Sequence, residues 1–101
     1  MKKMLELEAQ RNKKIRGWIV RILQRSYPAG FEPNTLCNQL NDLGYKVTVN
    51  GTIAALAYLQ EDGFVENPQH TALGLENEFY KLTTKGVDLA EGTVQDLGVD
   101  L

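Results

Sequence analysis

The sequence predicts a small, mostly helical α+β domain: a three-helix bundle, a two-stranded β-hairpin and a short closing helix. Three observations predict it. Apolar residues recur at helical spacing in successive segments up to position 63. Two short runs then follow, Phe64-Val65-Glu66 and the more aromatic Glu78-Phe79-Tyr80-Lys81-Leu82, both suited to strands. Glycines at 44, 63 and 92 stand where the helices should stop. With 101 residues, 43% hydrophobic and 24% charged, the chain has room for one core, so a single domain over 1–101 is expected.

Residues 2–27 read as one long helix. Ile15, Trp18, Ile19, Ile22 and Leu23 follow the i, i+3, i+4, i+7, i+8 spacing that places them on one face. Before Ile15 only Met4, Leu5 and Leu7 are apolar candidates, so 1–11 is expected to extend beyond the domain body. Tyr27-Pro28-Ala29-Gly30 breaks the helix, because proline disfavours a helical residue before it. A second helix starts near Pro33, turns Leu36, Leu40 and Leu43 inward, and ends on Gly44. After Tyr45-Lys46-Val47 a third helix is capped by Thr48 or Asn50, with Val49, Thr52, Leu56 and Leu59 inward and Gly63 at its end. Helix, short turn and helix of this size make a helix-turn-helix candidate.

Thirteen residues, Glu66 to Glu78, join the two strands, with Asn67-Pro68 as a turn and Gly74 as a bend. Thr83-Thr84-Lys85-Gly86 opens the last helix, with Val87 and Ala90 inward and Gly92 at its end. Residues 93–101 form a tail in which Val94, Leu97 and Leu101 are expected to make an apolar edge.

This order of elements resembles the winged-helix superfamily, and two local patterns carry the resemblance. Leu56-x-x-Leu59-x-x-x-Gly63-Phe64-Val65 is similar to the end of a recognition helix entering the first wing strand. Tyr80-x-Leu82-Thr83-x-Lys85-Gly86 is similar to the second wing strand turning into the final helix of MarR-like, ArsR-like and PadR-like regulators. Together they cover roughly residues 12–92. The resemblance implies a small bacterial or prophage-encoded transcription regulator. It also implies a third helix in the major groove of double-stranded DNA, a wing along the phosphates, and binding as a two-fold dimer.

With Leu56 inward, a rotation of about 100° per residue turns Asn50, Gly51, Ala54, Tyr58 and Glu61 outward. Asn50 suits an adenine edge and Ala54 a thymine methyl. The nucleic-acid reading therefore assigns Asn50, Gly51, Thr52 and Ala54 to bases. Lys46 and a stripe of Lys14, Arg21 and Arg25 are assigned to phosphates. However, the third helix has no Lys or Arg, and the wing loop has no cation but carries Glu76 and Glu78. That composition motivates a second expectation: a winged-helix protein-interaction module. Its small face of Gly51, Ala54 and Ala57 would dock on a protein partner, with Tyr58 as the anchor.

The charge is unevenly spread. Eight Lys and Arg against two acidic residues give the first 25 positions a net +6, while the remainder, three against eleven, carries −8. The basic stripe reads either as a phosphate- or acid-binding surface or as a solvated face with cations near a helix C-terminus. Trp18 is expected in the core or at its edge. Val20, off the apolar stripe, suggests an extra contact, hence a homodimer through the first helix and the tail.

The remaining residues limit the function classes. Cys37, beside Leu36 and Leu40, reads as a buried thiol; as the only cysteine it excludes an intrachain disulfide and suits a reducing compartment, so a cytoplasmic setting is expected. The lone His70 cannot assemble a metal site with usual ligand spacing, and no cofactor is expected. Neither a Gly-rich phosphate loop nor a nucleophile triad is present, so catalysis is not expected. The longest apolar run, Ile53 to Leu59, is far short of the roughly 20 residues of a membrane span. Charged residues interrupt any N-terminal apolar stretch, so neither a secretory signal nor a membrane partner is expected.

Overall fold

Three helices come first: α1 (Lys2–Ser26), α2 (Pro33–Asp42) and α3 (Val49–Glu61). Strands β1 (Val65–Glu66) and β2 (Lys81–Leu82) follow, then α4 (Thr84–Glu91). This computed structural model describes residues 2–68 and 78–101, and side chains from Glu6 onward. Met4 and Leu5 as side chains, and His70, Gly74 and Glu76 in the connection between the strands, lie outside the described residues.

Helix α1 organises the rest. Its 25 residues rise about 37 Å, nearly the 40 Å long axis of the molecule. Residues 6–12 are all exposed, and beyond them α1 packs against α2, α3, α4 and β2. Its buried side is Ile15, Ile19, Val20 and Leu23. That arc corrects the expectation for Val20 and sets Trp18 at the edge of the core. Val20 is fully buried within one chain, so it offers nothing to a second copy. Trp18 is 40% exposed, and its indole Nε1 donates to the Tyr45 hydroxyl at 3.2 Å. The cause is that α1 is packed from several sides, which draws the buried arc towards Val20 and leaves Trp18 at its rim.

Helix α2 begins on Pro33 and buries Leu36, Cys37 and Leu40. Leu43 was expected inward but is the C-terminal cap residue and is 47% exposed. The helix ends before it, and Gly44 reverses the chain with φ +99°. The Asn41 side chain then ties down the turn, donating from Nδ2 to the Val47 carbonyl at 3.0 Å. Thr48 caps α3 by accepting from the Gly51 amide at 3.0 Å, and Thr52, Ala55, Leu56 and Leu59 are buried.

The strands are shorter than expected. They pair antiparallel as Val65↔Leu82 and Glu66↔Lys81, and Tyr80 instead bridges Phe31 through a reciprocal pair of backbone hydrogen bonds of 3.0 and 2.9 Å. The segment before α2 thus supplies a third edge that strand propensity alone does not reveal. Gly86 lies so close to the Phe64 carbonyl that a Cβ there would collide with backbone. Thr83 caps α4, which buries Leu89 and Ala90 and ends at Gly92 with φ +83°. In the tail the apolar edge is redistributed. Val99 is buried and Val94 packs on the core, whereas Leu97 is 95% exposed and Leu101 half exposed. Backbone contacts set this register: the Asp100 amide donates to the Lys13 carbonyl at 3.0 Å, and Arg16 donates to the Gly98 carbonyl at 3.1 Å.

The result is a small helical domain with a two-stranded antiparallel sheet after its third helix, a layout compatible with a winged helix.

Candidate nucleic-acid interface

The N-terminal half of α3 presents Asn50, Gly51 and Ala54 to solvent. Their exposure follows from Thr52, Leu56 and Leu59, which share the opposite face at i, i+4 and i+7. The base-facing assignment of Thr52 is therefore corrected: its side chain is fully buried and donates to the Thr48 carbonyl at 3.0 Å. A residue one turn before Leu56 must share Leu56's side of the helix.

The α2–α3 turn is clamped to α1 at two points. Arg11 Nη2 donates to the Lys46 carbonyl at 2.6 Å, and Trp18 holds Tyr45. This brings Arg11 and Lys46 beside the start of α3, around a groove of about 320 Å³ that Asn12, Arg16, Thr48, Gly51 and Ala54 also line. Sequence reasoning assigned Lys46, Gly51 and Ala54 but missed Arg11. The signal was available: Arg11, Ile15, Trp18 and Ile22 lie at i, i+4, i+7 and i+11, so Arg11 meets the same neighbours.

Lys14, Arg21 and Arg25 are indeed together, but in another groove, of about 780 Å³, with Trp18, Leu43 and Tyr45. The Tyr45–Lys46 turn lies between it and the groove on α3. Arg21 is also partly engaged, donating to the Ala90 carbonyl at 2.8 Å and to Gln24 Oε1 at 3.3 Å.

The C-terminal half of α3 has a different character. The Arg16 guanidinium stacks over the Tyr58 ring, 3.7 Å from its centroid. The Tyr58 hydroxyl also lies against Gly98, so close that a Cβ there would collide with it, which ties Tyr58 to the tail. Desolvation pushes its hydroxyl above the ordinary value, as do the charges of Asp96 and Asp62, against Arg16. Desolvation likewise pushes the Asp62 carboxyl upward, and the hydrogen bond and charge of Asp96 add to this. Glu61, Asp62 and Asp96 make this end repulsive to phosphate, so any polyanion is directed to the N-terminal half.

The Lys of β2 and the Lys of the first turn of α4 are both occupied. Lys81 pairs with Glu66 at 3.6 Å. Lys85 donates to the Asp62 carbonyl at 2.8 Å and sits 4.8 Å from the centre of the Phe64 ring. Cys37 is buried, with its Sγ 3.6 Å from the Val47 carbonyl. Among the described residues no group of His, Cys, Asp and Glu has the arrangement of a metal site. No described helix is long and apolar enough to cross a membrane.

Comparison with known proteins found no matching family model, no matching curated protein and no matching solved structure.

Proposed function

We propose that this chain is a winged-helix DNA-binding protein acting as a transcription regulator, with α3 as the helix that enters the major groove. One observation carries the reading: Arg11 and Lys46 flank the exposed, uncharged start of α3 in a single groove. Asn50 then faces an adenine edge and Ala54 a thymine methyl, while Gly51 lets the backbone approach closely. Arg11 and Lys46 contact phosphates on either side, taking the role first given to the Lys14 stripe. The acidic C-terminal end of α3 points away from the duplex.

Fluorescence anisotropy with labelled genomic duplexes tests the reading. Binding is expected to tighten at low salt, with log affinity falling linearly against log salt concentration. A chain that leaves every duplex free even at low ionic strength contradicts it. Stable capture of a protein through the Gly51–Ala54 face, without retention of DNA, would instead favour the protein-interaction reading.

A further inference from the structure

We propose that the groove between α1 and the start of α3 also binds a small organic phosphomonoester, gripped by Arg16 together with Arg11 and Lys46. Three cations converge there: all three side chains line the groove of about 320 Å³, and no acidic residue does. Among the described residues no carboxylate comes within ion-pair distance of any of them. The Asp96 carboxylate of the tail stands around a different hollow.

Arg16 is both fixed and under-satisfied. Its guanidinium is held 3.7 Å from the centroid of the Tyr58 ring, and Nη1 donates to the Gly98 carbonyl at 3.1 Å. Neither partner is an anion, since the Tyr58 hydroxyl is pushed above its ordinary value, and the buried Nε has no hydrogen-bond partner. A cation already held in place but uncompensated binds an anion with little further loss of side-chain freedom.

Charge and shape select the ligand. A duplex backbone carries one negative charge per phosphate, whereas a phosphomonoester carries about 1.5–2 at neutral pH. Three unpaired cations in one groove repel one another, and a doubly charged group offsets that repulsion better than a singly charged one. The groove is at the small end of ligand pockets, which run from about 300 to 1,000 Å³. Ile15, Val47 and Ala55 give it apolar walls that bare inorganic phosphate leaves uncovered and a compact organic body covers. The site stands on these residues alone. Its regulatory consequence rests on the DNA reading: a bound phosphomonoester takes the place of duplex phosphates at Arg11 and Lys46 and releases the DNA.

Amide NMR titration without DNA, at constant ionic strength, tests the site with phenyl phosphate, inorganic phosphate and dimethyl phosphate. Phenyl phosphate is expected to shift the Val47, Thr48 and Gly51 amides saturably and to bind more tightly than inorganic phosphate. Dimethyl phosphate, a singly charged diester, binds at least about tenfold more weakly. Affinity for phenyl phosphate falls as the pH drops below about 6, where the monoester takes up a second proton. Arg16→Gln and Lys46→Ala each weaken binding by about tenfold. Arg16 also holds the tail, so Lys46→Ala, at an exposed side chain, decides the matter if Arg16→Gln does not fold. The absence of saturable shifts, equal affinity for the diester, or parent affinity in Lys46→Ala overturns the proposal. Duplex binding without a response to phenyl phosphate removes this inference and leaves the DNA reading standing. Phenyl phosphate binding without duplex binding supports the site and removes the DNA reading.

Discussion

Leu56→Ala is expected to reduce the unfolding free energy by about 2–5 kcal/mol. Leu56 is fully buried on α3, on the face that packs against both α1 and α2. Truncation removes apolar contacts from the core cluster that Leu56 shares with Ile15, Ile19, Leu36 and Leu40, and leaves a cavity that rigid helices refill only in part. A domain of this size is stable by only about 5–15 kcal/mol, so the loss is a large share of the total. Urea unfolding followed by circular dichroism measures it. Leu7→Ala is the control: Leu7 is 63% exposed on the projecting part of α1, and its truncation should change stability by less than about 0.5 kcal/mol. Equal losses for the two variants would mean that Leu56 is not in the core.

The second large effect concerns binding. On the proposed reading, the double variant Arg11→Ala/Lys46→Ala binds duplex DNA more weakly by on the order of tenfold or more. The loss is similar for every sequence, because phosphate contacts carry no base information. The slope of log affinity against log salt also becomes shallower by about two, one for each contact removed. Lys81→Ala provides the comparison, since Lys81 is already paired with Glu66 and should leave the slope unchanged. A double variant with the parent's affinity and slope removes Arg11 and Lys46 from the interface. Folding must be verified in parallel, because Arg11 also braces the turn at the Lys46 carbonyl.

Much of the fold was legible in local chemistry. Pro33 opens α2, Thr48 caps α3, and Gly44, Gly63 and Gly92 all take the positive φ expected where a helix stops. These signals are local: a cap or a left-handed turn depends on a few consecutive residues. What failed depended on distant partners. The apolar residues of α1 span a wide arc, from Trp18 through Ile19 to Val20, and periodicity cannot say which edge the other elements cover. Likewise Leu97 and Val99 are equally apolar. The backbone bond from the Asp100 amide to the Lys13 carbonyl, with the Arg16 side chain on the Gly98 carbonyl, puts Val99 inside and Leu97 outside. The Phe31–Tyr80 bridge is another long-range event with no local signature.

The candidate site divides the same way. Asn50, Gly51 and Ala54 were placed outward by counting from Leu56, and they are exposed. Thr52 was assigned to two incompatible sides at once, and the buried side is the one it occupies. In the sequence Arg11 reads only as bulk charge, because its place beside the start of α3 arises from a hydrogen bond to a residue 35 positions away. Helical angle groups Lys14, Arg21 and Arg25, and they do share one groove, but it is not the groove at the start of α3, since helical angle fixes a face and not what lies beside it.

The most direct test of the proposed interface is a backbone amide NMR titration of the chain with a short duplex. The account predicts that the amides of Arg11, Lys46, Asn50, Gly51 and Ala54 shift together, with Glu61 and Asp62 nearly still. Shifts confined to Trp18, Arg21 and Arg25, or to the β1–β2 hairpin, would contradict it.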